Sequence, residues 1–239
     1  MASALARGWG DPVLVYDAYR PRAEALVAEL GGEVAASNAE LAQEADVLLL
    51  AHKPAGLERV ADEVGDGAKG IISILGGTPL AALRAAYGAT PVVRMIPSVP
   101  VEVRQGVTCH ARDGESDAAL EAQAIELFER VGLVVTLDEA QMEIATGLMS
   151  CAPAYVALVA EAQVDAGVRA GLPADLAGEL VAANIGGTAA LLQARGMDTL
   201  TVRRMVTSPG GITARGVAAL EHGGVRAAFD DAMQAVLAR

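Results

Sequence analysis

Apolar and polar positions along the first half of the chain change period repeatedly. Residues 13–16, 47–51, 71–75 and 91–95 read as short strands, mostly apolar, and 47–51 is apolar without a break, the pattern of a strand buried on both faces. Between them lie helical stretches at 22–30, 38–45, 57–64 and 79–86, the first closed by Gly31 and Gly32. A short strand is expected at 33–35. Two more follow at 107–110 and 133–137, with a helix over 116–131 between them. Strand–helix alternation of this kind predicts a mainly parallel sheet covered on both faces. After Asp138 the period becomes helical throughout, at 142–149, 154–170, 173–195, 199–207, 213–222 and 225–238. The expected organisation is a Rossmann-type, doubly wound α/β domain over 1–140 and an all-helical domain over 141–239.

The chain opens on an amphipathic helix at 2–8 with no strand or glycine turn ahead of it. A doubly wound nucleotide-binding domain normally begins strand, glycine-rich turn, helix, and the turn receives the pyrophosphate. The expectation is therefore a domain lacking its first strand and most of its glycine loop. A chain beginning at Met1 is expected to bind a dinucleotide weakly. The next strand leads into Asp17, where an acidic residue accepts from a ribose hydroxyl.

Composition narrows the class. Hydrophobic residues make up 53% of the 239-residue chain and aromatics only 3%, so aliphatic side chains and alanines build the core. A net charge of −12 without a basic block argues against nucleic-acid and anionic-membrane partners. Cys109 and Cys151 are far apart, and the three histidines form no metal-ligand spacing. The apolar run at 144–160 is broken by Thr146, Ser150 and Pro153 and reads as too short for a membrane span. A cytoplasmic protein is expected.

The most informative stretch is VRRMVTSPGGITARGVAALE at 202–221. Its double glycine sits between two helices. Free N–H groups at the start of the second helix suit an anion such as a carboxylate, and Thr213 adds a hydroxyl. By these residues alone, an ordinary interhelical turn with Thr213 as N-cap is the simpler account.

That stretch resembles the C-terminal signature of pyrroline-5-carboxylate reductases, and the resemblance extends along essentially the whole chain. AHKP at 51–54, SILGG at 73–77, RMIPSVP at 94–100, TGLMSCAPAY at 146–155, GVRAGLP at 167–173 and LEHGGVRA at 220–227 also match. The resemblance implies reduction of the cyclic imine 1-pyrroline-5-carboxylate to L-proline by NADPH or NADH, in a homodimer or a higher homo-oligomer. It implies carboxylate binding around Ser208, Gly210 and Gly211, with Thr213 on the ring nitrogen. Thr146 is implied near nicotinamide and substrate, and Lys53, Pro54, Gly77 and Ser98 along the cofactor. Asp17 favours NADH, whereas Arg20 or Arg22 serves the 2′-phosphate of NADPH. The chain departs from the family pattern at Ser98-Val99, where Asn-Thr is usual, and at MSCAP (149–153), where SGSGP is usual. These changes leave two alternatives open: a reductase of another cyclic imine or carbonyl acid, or a non-catalytic dimer-forming homologue.

Overall fold

The computed structural model describes residues 1–238. They form two compact units, Met1–Pro153 and a second from Ala154 onward. The first runs α1 (Ala2–Trp9), β1 (Val13–Val15), α2 (Arg20–Leu30), β2 (Gly32–Val34), α3 (Asn38–Glu44), β3 (Leu48–Leu50), α4 (Leu57–Val64), β4 (Ile71–Ser73), α5 (Leu80–Tyr87), β5 (Val92–Pro97), β6 (Gly106–Arg112), α6 (Ala118–Glu129), β7 (Gly132–Asp138) and α7 (Met142–Met149). β1 and β2 pair in parallel as a two-stranded sheet. The other five lie in the order β3-β4-β5-β6-β7. Pairing in that sheet is parallel except between β5 and β6. The reversal follows from the connection. β5 reaches β6 through a 3₁₀ turn, Val99–Val103, and a parallel return needs a longer crossover.

The mostly apolar runs are explained by burial on both sides. All six positions of β5 are buried. Val92 and Ile96 join one core cluster with Ile71, Leu80, Leu83 and Met142. Val93 and Met95 join another with Leu5, Ile72 and Phe128. Adjacent residues on a strand point to opposite faces, so helices cover both. α1 belongs to the second layer. Gly8 lets it approach the 3₁₀ turn: a Cβ there would stand 2.1 Å from the Val101 carbonyl oxygen. Arg104 Nε donates to the Gly8 carbonyl at 2.7 Å, and Trp9 Nε1 to the Leu127 carbonyl at 2.9 Å. Cations suit the exposed carbonyls of a helix C-terminus.

The second unit contains α8 (Ala152–Arg169, beginning just before the division), α9 (Ala174–Ala194), α10 (Thr199–Met205), α11 (Ile212–His222) and α12 (Val225–Leu237). Among its described residues, Ala177 and Val202 are the buried hydrophobics, while Leu158, Leu180, Ile212, Leu220 and Phe229 are exposed. Residues Glu139–Arg169 reach the length and composition of a membrane-crossing helix, more than the sequence reading allowed. Of the three residues expected to break the run, Thr146 lies inside α7, which leaves Ser150 and Pro153. The chain bends there, but helix resumes at Ala152, with Pro153 in the first turn where its missing N–H costs nothing.

Candidate functional site

Parallel strands deliver the loops after them to one edge of the sheet, the edge at which open α/β sheets bind ligands. After β3, exposed Lys53 and Pro54 open a 3₁₀ turn, with the Gly56 N–H donating to the Lys53 carbonyl at 2.9 Å. After β4, Gly76 and Gly77 are exposed, and Gly77 takes φ +73°, a left-handed conformation that glycine adopts without a Cβ clash. The space where a Gly76 Cβ would stand is open. After β5, Ser98 is buried and tied twice to β6. Its N–H donates to the Val107 carbonyl at 2.9 Å, and its Oγ accepts from the Val107 N–H at 2.9 Å. The strand register thus brings Lys53, Pro54, Gly77 and Ser98 to the ends of three adjacent strands.

Asp17 and Arg20 follow β1, in the two-stranded sheet of the same unit. Asp17 Oδ1 accepts from the Tyr19 N–H at 2.8 Å, the turn that leads into α2. Arg20 pairs with Glu24 one turn on, at 2.7 Å. The Arg22 guanidinium lies 5.5 Å above the Tyr19 ring.

Thr146 sits half-buried on α7, where its Oγ1 donates to the Met142 carbonyl at 2.7 Å. With its proton engaged, the hydroxyl offers a neighbour lone pairs rather than a donor. Two carboxylates flank the start of α7. Glu143 lies 2.9 Å and Glu139 3.2 Å from Arg94, a 1%-exposed guanidinium on β5. Glu139 Oε1 also accepts from the Leu80 N–H at 2.6 Å, at the head of α5. Sequence reasoning missed this group. Its signal was a lone arginine inside the apolar run that leads into Ser98.

In the helical unit, the Gly211 N–H donates to the Ser208 carbonyl at 3.0 Å, closing a turn in which Gly210 takes φ +70°. Gly211 is the N-cap of α11, so the helix starts at Ile212 and Thr213 lies inside its first turn. The reading of Thr213 as N-cap is corrected. The Arg215 backbone N–H donates to the Gly211 carbonyl at 3.3 Å. The N–H groups of Ile212, Thr213 and Ala214 therefore have no intrahelical acceptor. Ser208 and Gly210 are exposed and Thr213 half-buried. Farther along α11, Glu221 pairs with Arg226 at 2.7 Å and with Arg203 at 3.6 Å. The Arg226 guanidinium, more than Arg203, holds the Glu221 carboxyl below the usual carboxylate range.

Residues 139–239 match the family model for pyrroline-5-carboxylate reductase dimerisation, and residues 1–77 that for NADP oxidoreductase coenzyme F420-dependent. A pyrroline-5-carboxylate reductase of Synechocystis is 36% identical, with 96% of this chain and 86% of the relative covered. One from Pseudomonas aeruginosa is 33% identical over 98% of this chain and 88% of its own. Among solved structures, the NADP-bound Plasmodium falciparum pyrroline carboxylate reductase superposes with TM-score 0.88 at 27% identity, covering 98% of this chain and 90% of that one. The Streptococcus pyogenes 1-pyrroline-5-carboxylate reductase gives 0.90 at 25% identity, covering 99% and 92%. By these matches, which run nearly the length of both partners, the chain belongs to the pyrroline-5-carboxylate reductase family.

Proposed function

We propose that the protein reduces the cyclic imine 1-pyrroline-5-carboxylate to L-proline with NADPH or NADH, the last step of proline biosynthesis. The observation that carries the reading is the turn Ser208–Gly211 feeding three acceptor-free N–H groups at the start of α11, in a chain matched throughout by reductases of this substrate.

The sheet edge fits a dinucleotide. It offers an exposed cationic Lys53, open backbone at Gly76 and Gly77, and the ends of adjacent parallel strands. We assign Lys53, Pro54, Gly77 and Ser98, with Asp17 and Arg20 at the ribose, to holding it. When bound, the reduced nicotinamide supplies a hydride to the imine carbon. The chain's task is mainly orientation, because a protonated imine is already electrophilic.

The substrate carboxylate is assigned to the α11 terminus. Because the Gly211 N–H is engaged inside its own turn, the donors there are the N–H groups of Ile212, Thr213 and Ala214, with Ser208 and Gly210 shaping the approach. The Thr213 hydroxyl positions the ring nitrogen. The Thr146 hydroxyl, its own proton held by the Met142 carbonyl, is assigned a place near the nicotinamide and the substrate.

Residues 1–140 serve the cofactor, and 141–239 serve substrate binding and dimerisation. The exposed leucines, Ile212 and Phe229 of the helical unit are read as faces that a second copy covers. A biosynthetic reductase of this kind is placed in the cytoplasm. The test is consumption of NADPH or NADH that depends on pyrroline-5-carboxylate, with proline as product. A folded dimer that consumes neither cofactor would favour the non-catalytic alternative.

A further inference from the structure

We propose that Arg94, Glu139 and Glu143 are positioning residues, a buried ionic node that sets where the Thr146 hydroxyl stands relative to the turn at Gly77 and the strand end at Ser98. The proposal rests on the reductase reading above. Three segments meet at the node, and each carries a residue assigned to the reaction. β5 supplies Arg94 and continues into Ser98. The start of α7 supplies Glu143, one turn before Thr146. Glu139, just ahead of α7, reaches both Arg94, at 3.2 Å, and the Leu80 N–H, at 2.6 Å, on the helix that follows Gly77.

The chemistry of the node suits positioning. A guanidinium is a planar fork whose donors keep a fixed separation, so two carboxylates on it are held in one arrangement. Nη1 and Nη2 serve Glu139 and Glu143 separately, while the buried Nε has no partner. The cation therefore depends on these two carboxylates. Net stability is a weak reason for such a group, since buried ion pairs are often replaced by apolar residues without loss. Fixed geometry is a stronger one. α7 carries the Thr146 hydroxyl hydrogen-bonded to its own helix, so any rotation or slide of α7 moves that oxygen with it.

The test compares Glu143→Gln, Arg94→Lys and Arg94→Met with the full protein. Turnover is measured well below each variant's melting temperature. In Glu143→Gln, kcat is expected to fall about tenfold or more, as small misplacements near reacting atoms do, while KM for the nicotinamide cofactor holds. Arg94→Lys is expected to recover most of the melting temperature lost in Arg94→Met but not its kcat, because an ammonium cannot span both carboxylates. An unchanged kcat in folded Glu143→Gln, or full rescue by lysine, overturns the proposal. If the wild-type protein turns over no pyrroline-5-carboxylate, the reductase reading fails by itself. Amide exchange then decides on the node: Glu143→Gln is expected to speed exchange at Leu80 through the shared Glu139. Unaltered exchange there overturns it.

Discussion

Gly8→Ala sets two effects of opposite sign against each other. Alanine is favoured over glycine inside a helix by about 1 kcal/mol, so propensity alone expects a more stable protein. The packing expects the reverse. The new Cβ would stand 2.1 Å from the Val101 carbonyl oxygen and 3.0 Å from Val131 Cγ1. Carbon and oxygen normally approach no closer than about 3.3 Å, so α1 must retreat by about 1 Å from the 3₁₀ turn. That retreat loosens fully buried Leu5, Val101 and Val131, and stretches the Arg104–Gly8 hydrogen bond. Overpacking of this kind costs about 1–3 kcal/mol, and weakening a charged hydrogen bond adds about 1 kcal/mol. The net expectation is a loss of about 2 kcal/mol. In a domain of this size that is a fall in melting temperature of about 4–8 °C. Calorimetry of both proteins at one concentration reads it, since self-association makes a transition concentration-dependent. An unchanged or raised melting temperature would refute the close approach of α1 to Val101.

Thr213→Ala is expected to lower kcat/KM for pyrroline-5-carboxylate about 10- to 100-fold through lost orientation, with an unchanged melting temperature. A wild-type rate would remove Thr213 from the site. His110→Gln tests a pH effect. Burial, partly opposed by Glu121, holds the His110 pKa below its ordinary value of about 6.5. As pH falls below about 6.5 the unfolded chain takes up a proton that native His110 resists, so the native state loses stability there. Paired carboxylates such as Asp113, lowered chiefly by Arg84, lose their contribution only at more acid pH. Melting curves from about pH 7.5 to 5.5 should therefore fall more steeply for wild type than for His110→Gln. Parallel curves would contradict the assignment.

The central strands of the sheet were legible because β4 and β5 are buried on two sides. The runs around Leu48, Ile71 and Val92 needed only a short, mostly apolar pattern. What the pattern did not carry was non-local. Arg94 is a charge inside an apolar strand, a signal the sequence reading passed over, and its partners Glu139 and Glu143 lie far along the chain with no spacing rule to join them. The antiparallel return of β6 depended on a 3₁₀ turn that reads as an irregular loop. The start of α11 was displaced because Ile212 is an apolar first helical residue left 80% exposed, where a core-facing pattern looks for a buried one. The glycines of the 208–213 turn marked the loop but not its hydrogen bonding. Which N–H groups remain free follows from the Gly211-to-Ser208 closure, a contact that no residue pattern encodes.

The central claim is tested most directly by incubating the protein, expressed with any in-frame residues encoded ahead of Met1, with pyrroline-5-carboxylate and reduced nicotinamide cofactor. NADPH and NADH are tried in separate arms. The expected result is loss of reduced-nicotinamide absorbance that depends on both enzyme and imine, matched by an equal amount of proline. A folded protein that yields no proline with either cofactor would contradict it.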